Sequence, residues 1–139
     1  MEYDLTELIK TALSMRKRSY TPYSHFNVGA ALISKDGRIF TGCNIENAAF
    51  TPTNCAERTA FFKAVSEGVK DFEAIVIAGG AEDAKELDYC PPCGVCRQVM
   101  SEFCEDDFKI ILAKSETEYV ICSLADSLPD RFGPKNLLG

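Results

Sequence analysis

Cys55-Ala56-Glu57, then Ala74-Ile75-Val76-Ile77-Ala78, then Pro92-Cys93-Gly94-Val95-Cys96: these three runs decide how the chain folds. After the first, Ala56, Ala60, Phe61, Ala64 and Val65 recur at helical spacing, and Gly68 supplies a stop. The second is a short continuous apolar run closed by Gly79-Gly80, the pattern of a strand buried on both faces. After the third, Cys96, Val99, Met100 and Phe103 are again helically spaced. The unit is therefore helix, buried strand, helix, with a cysteine at each helix start.

Reading outward, Leu5, Leu8, Ile9, Ala12 and Leu13 form one stripe of a helix over 4–17, which Thr21-Pro22-Tyr23-Ser24 breaks. Val28 to Ile33 and Arg38 to Thr41 are extended runs joined by Lys35-Asp36-Gly37, and Asp-Gly between such runs signals a hairpin. A polar loop runs from Asn44 to Asn54, and a second, Pro-rich one over 81–92. Lys109 to Ala113 and Tyr119 to Cys122 read as two last strands, followed by a short helix near Leu124 to Leu128 and a tail. The order α-β-β-α-β-α-β-β points to a sheet covered by helices on both faces. With no internal repeat or linker, residues 1–139 make one domain.

The composition narrows the function. Fifteen basic and 21 acidic residues leave a formal charge of -6, which argues against a nucleic-acid backbone as partner. The one basic cluster, Arg16-Lys17-Arg18, ends the first helix, where it complements the helix dipole. The acidic N-terminus has no apolar signal-peptide core, and no apolar run approaches the roughly 18 residues of a membrane span. Seven cysteines, an odd number, read better as metal ligands and core residues of a reduced cytoplasmic protein than as a disulfide framework.

Cys55, Cys93 and Cys96 are the candidate metal ligands. Unpaired N–H groups and the positive dipole end at a helix start favour the thiolate, the form that binds metal. Three protein ligands leave one position of a tetrahedral zinc for water, whereas a structural zinc closes all four. Glu57, two residues from the first ligand, is placed to move protons to and from that water. Three thiolates make a negative centre, so a cation should offset it; Arg58 is the first choice, as donor to a ligand sulfur, ahead of Arg97.

Competing readings exist for each motif. Asn54-x-x-Glu57 has the form of a helix capping box. Cys93-x-x-Cys96 alone has the form of a redox pair. A closed structural zinc would recruit Cys90, or the more remote Cys43, as fourth ligand. Cys104 and Cys122 lie on apolar faces and read as core, and His25, the one histidine, as structural.

Taken together, the motifs resemble the small homotetrameric zinc-dependent cytidine deaminases. Tyr23-Ser24-His25-Phe26-Asn27-Val28-Gly29-Ala30-Ala31-Leu32 is similar to that family's first strand, and Gly42-Cys43-Asn44-Ile45-Glu46-Asn47-Ala48 to its nucleoside-binding loop. Cys55-Ala56-Glu57-Arg58-Thr59-Ala60 and Pro92-Cys93-Gly94-Val95-Cys96-Arg97-Gln98 match its zinc motifs, and Leu128-Pro129-Asp130-Arg131-Phe132-Gly133-Pro134 its C-terminal segment. The chain departs from the pattern at Phe50, where the family carries tyrosine, at Asn54, and at Cys90-Pro91.

The resemblance implies a three-layer α/β/α fold around a mixed five-stranded sheet. It implies one Zn2+ per subunit on Cys55, Cys93 and Cys96, with Glu57 as proton shuttle. Phe26 would line the pocket, Asn44 and Glu46 would hold the ribose, and backbone groups of Ala56 would read the base edge. Phe132 would reach the site of a neighbouring subunit. Asn44 and Glu46, two apart in an extended loop, also face one side on spacing alone and offer what a sugar hydroxyl needs. The expected activity is hydrolytic deamination of free cytidine and deoxycytidine in pyrimidine salvage. The alternatives are a deaminase of another aminopyrimidine nucleoside such as blasticidin S, and a catalytically silent zinc module.

Overall fold

A computed structural model describes residues 2–139. The elements are α1 (Leu5–Met15), continued by a short 3-10 turn (Arg16–Arg18), β1 (Phe26–Ser34), β2 (Ile39–Cys43), α2 (Ala56–Ser66), β3 (Phe72–Ala81), α3 (Gly94–Phe103), β4 (Lys109–Ala113), β5 (Tyr119–Ser123), α4 (Leu124–Ser127) and α5 (Pro134–Leu138). One five-stranded sheet runs β2-β1-β3-β4-β5. The β2–β1, β1–β3 and β4–β5 pairs are antiparallel and β3–β4 is parallel, so the sheet is mixed.

The alternation of side chains along the strands divides the core in two. On one face, Leu8, Ile9 and Ala12 of α1 cover Ala31, Ile33, Ala74, Val76, Ile111 and Ala113. On the other, Ala60, Phe61 and Ala64 of α2 and Met100 of α3 pack on Leu32, Ile75, Ile77 and Ile110. Phe61 meets Phe72 edge-on at 5.0 Å between ring centroids. The result is three layers, α/β/α.

Two glycines set how closely the helices lie on the sheet. A Cβ on Gly29 would fall 2.0 Å from the Ala12 carbonyl oxygen of α1, and one on Gly42 would fall 2.1 Å from the Ala56 carbonyl oxygen of α2. No real structure tolerates such contacts, so any side chain at either position would force the helix away. Gly42 therefore holds the first turn of α2, which carries Glu57, against the sheet.

Three local expectations are corrected. The N-cap of α2 is Cys55, with no side-chain cap bond, and the Asn54 amide instead donates to Thr59 Oγ1 at 3.2 Å. No capping box forms. Arg16 does more than complement a dipole: its guanidinium donates to the carbonyls of Asn27, Gly80 and Ala81, tying α1 to the ends of β1 and β3. The C-terminal tail contains the short helix α5, capped by Asn136 Oδ1, which accepts from Gly133 N–H at 2.8 Å.

Candidate active site

The strand β2 and the strand β3 run in the same direction, two places apart, each paired antiparallel to β1. The helices α2 and α3 follow their carboxyl ends through the loops 44–55 and 82–93, so both helix starts meet at one end of the sheet. That is where clefts form in open α/β sheets. Cys55 is the N-cap of α2 and Cys93 the N-cap of α3, with Cys96 in the first turn of α3.

This brings three sulfurs from two separated segments together. Cys55 Sγ and Cys93 Sγ are 3.8 Å apart, and Cys93 Sγ and Cys96 Sγ 3.4 Å apart. Two sulfurs on a tetrahedral zinc, each at about 2.3 Å, stand about 3.8 Å from each other. The spacing therefore fits a zinc ion held by Cys55, Cys93 and Cys96. Neither Cys90 nor Cys43 joins the group among the described residues, which leaves the protein one ligand short of a closed shell. Cys43 and Cys104 are buried and Cys122 is half-buried.

The electrostatics suit a thiolate. The Cys96 hydrogen bond is the largest influence drawing the Cys55 thiol down to about 5; Arg58 adds to it and burial opposes it. The same contact, with burial adding to it, pushes Cys96 up. Arg58 Nη2 donates to Cys55 Sγ at 3.3 Å. Arg97 is used otherwise: it donates to the Pro92 and Ser127 carbonyls and fixes the loop before α3.

Glu57 is only 4% exposed and makes the one buried carboxylate of the described residues. Burial above all lifts its pKa to about 7, with the Cys55 charge adding to the rise. A carboxyl poised near neutrality both accepts and gives up a proton at small cost, which is what an acid/base catalyst requires.

Beside the cluster lies a cleft of about 330 Å³, with Phe26, Asn44, Glu46, Ala56 and Glu57 among its lining residues. The Asn44 amide is engaged with β1: Nδ2 donates to the Phe26 carbonyl at 2.7 Å and Oδ1 accepts from Val28 N–H at 2.9 Å. Glu46 accepts from the N–H groups of Tyr23 and Ser24 and from the Ser24 hydroxyl. Both side chains thus stand in fixed positions on the cleft wall. Ser24, Val28 and Cys90 line the same cleft without having been singled out for it in the sequence. The Cys90 thiol is pushed up to about 11, chiefly by burial, and stays protonated. Phe132 lies elsewhere, 58% exposed, beside Gln98 and α5. A larger groove of about 590 Å³ lies between the end of α3 and residues 131–136, but it holds neither the sulfur cluster nor Glu57.

The profile described as cytidine and deoxycytidylate deaminase zinc-binding region matches residues 2–112. The chain belongs to this family. It is 46% identical to a cytidine deaminase of Halalkalibacterium halodurans over 96% of this chain and 98% of that one. It is 44% identical to one of Sporosarcina psychrophila over 96% and 95%. A crystal structure of cytidine deaminase from Burkholderia pseudomallei superposes with a TM-score of 0.82, at 40% identity, over 95% of this chain and all of that one. A blasticidin-S deaminase of Bacillus cereus is also similar, 35% identical over 76% of each chain, so membership alone does not choose the nucleoside. The family is zinc-binding, and the sulfur cluster supplies the site for the ion.

Proposed function

We propose that the chain is a zinc-dependent hydrolase that deaminates free cytidine and deoxycytidine to uridine and deoxyuridine, releasing ammonia. The observation that carries this reading is the placing of the buried carboxyl of Glu57 beside three sulfurs at zinc spacing, in the wall of a nucleoside-sized cleft. Zinc, when bound, makes water acidic enough to react near neutral pH. The chain's own groups do the rest. Glu57 takes one proton from the attacking water and delivers it to the ring nitrogen, then takes the second from the newly added hydroxyl and delivers it to the departing amine. A C–O bond forms at the ring carbon and its C–N bond breaks; one of the water's protons stays on the ring nitrogen of the product and the other leaves with the amine as ammonia. Phe26 offers an aromatic face to the flat substrate, and backbone groups of Ala56 face the base edge. Arg58 keeps the Cys55 sulfur hydrogen-bonded and offsets its charge.

Asn44 and Glu46 on the wall favour a free ribose, and hence cytidine over blasticidin S. An open fourth metal position favours a catalyst over a silent zinc module. The product keeps its sugar, which fits pyrimidine salvage. The reading extends to a cytoplasmic homotetramer in which Phe132 of one chain reaches the cleft of another. Phe132, Leu137 and Leu138 are exposed and away from their own chain's cleft, which supports that arrangement. Seven free cysteines suit a reducing compartment, and no helix among the described residues is long and apolar enough to cross a membrane.

Ultraviolet monitoring of cytidine with the zinc-loaded protein tests the activity. Conversion to uridine that stops on zinc chelation and returns with zinc is expected. No conversion of cytidine or deoxycytidine by fully loaded protein would overturn the assignment.

A further inference from the structure

The pairing of β3 with β4 ends at Ile77, whereas β1 continues beside β3 to Ala81. Past that point the loop 82–93 folds over the end of β3 and touches both of its faces. On the α1 face, a Cβ on Gly80 would fall 2.7 Å from Leu87 Cδ2. On the α2/α3 face, a Cβ on Gly79 would fall 2.9 Å from Cys90 Sγ and 2.9 Å from Val28 Cγ2. The loop is also tied to the end of β4, where Lys114 Nζ sits 4.7 Å from the centre of the Tyr89 ring.

The contacts of Gly79 matter because Cys90 and Val28 both line the cleft. A methyl group at 79 could be accommodated only by moving one or both of them, and Val28 is stiff about its first side-chain torsion. We infer that Cys90 is a wall of the nucleoside cleft rather than a metal ligand, and that the missing side chain at Gly79 sets how far this wall stands from the substrate. This rests on the cleft being the nucleoside site. Gly79 is then a positioning residue, acting through Cys90, and the pair determines substrate fit without touching the metal.

The test compares G79A, C90A and the double variant as zinc-loaded proteins, measuring KM and kcat for cytidine and zinc per chain. G79A should raise KM about tenfold while kcat falls less than about threefold, the signature of lost binding common to ground and transition states. Its zinc content should match wild type. Removing the Cys90 sulfur relieves one of the two 2.9 Å contacts and leaves that with Val28, so the double variant should recover part of the lost KM, a non-additivity expected of residues in contact. C90L gives a second reading that leaves the β3 backbone unaltered: added bulk on the same wall should raise KM with zinc retained. A wild-type KM in C90L, zinc loss in G79A, or a double variant no better than G79A would each overturn the inference. Wild-type protein run alongside separates the claims. If it leaves cytidine untouched, the functional reading falls and the wall assignment with it. If it turns cytidine over and the variants do not behave as stated, only the wall assignment falls.

Discussion

The two faces of the sheet are built from the same strands and do different work. The α1 face is closed by Leu8, Ile9 and Ala12 on small and branched aliphatic residues, with the Tyr3 ring packed at its edge. The α2/α3 face holds the aromatic group of Phe61, Phe72 and Phe108, but at its end it also carries the cysteines and the buried Glu57. The first face only stabilises. The second gives up some stability, because an ionisable carboxyl kept from water is costly, and gains chemistry. Mutations on the two faces should therefore separate stability from activity.

The largest effect is expected at Glu57. Glu57→Gln should lower cytidine turnover by at least about a hundredfold, and up to about ten-thousandfold, the range for a positioned acid/base. Zinc content should be unchanged and Tm equal or higher, since a neutral amide replaces a buried carboxyl. A Tm that falls together with turnover would erase the distinction between the faces.

Ile9, wholly buried beneath the sheet on the α1 side, should give the opposite pattern. Ile9→Ala should cost about 2–5 kcal/mol in denaturant unfolding. The protein that remains folded should keep its specific activity and its zinc.

The glycines offer a matched pair. Gly29→Ala and Gly42→Ala insert the same methyl against a helix backbone, on opposite faces, at nearly equal distances. Each should cost about 1–3 kcal/mol of stability. Only Gly42→Ala should also weaken zinc retention against a competing chelator, because it displaces the turn that carries Cys55 and Glu57. Equal zinc retention in the two would contradict the role given to α2.

The smallest effect is expected in the β1–β2 turn, away from both clusters. There the Arg38 guanidinium above all, with the Ser34 hydroxyl, holds exposed Asp36 down to about 2 from an ordinary 3.8. A lowered carboxylate pKa contributes stability at pH above its unfolded value and loses it as pH falls through the folded one. Asp36→Asn should thus lower Tm slightly at pH 7, with the difference from wild type shrinking between pH 4 and about pH 2. Activity should not change.

Much of this was readable from the chain because the signals are local. Asp36-Gly37 marked the hairpin, the helical stripes marked α1, α2 and α3, and the cysteines marked the helix starts. What was not readable depends on contacts between distant segments. The strand order β2-β1-β3-β4-β5 has no local signature. Arg16 reaches Gly80 across the fold, so its sequence neighbourhood suggested only a dipole role. Asn54 has the spacing of a cap, but Cys55 takes that place in the backbone. Cys90 lies three residues before Cys93 and looks like a ligand on spacing. The loop across Gly79 turns it to the cleft wall instead. The helix α5 is too short and exposed for periodicity to reveal it.

The central claim is that three sulfurs hold the metal and leave one position free. X-ray absorption at the zinc edge of freshly purified protein measures this directly. The expected result is one zinc per chain with three sulfur neighbours at about 2.3 Å and one lighter oxygen neighbour. A shell of four sulfurs, or protein that carries no zinc and takes none up, would contradict the account.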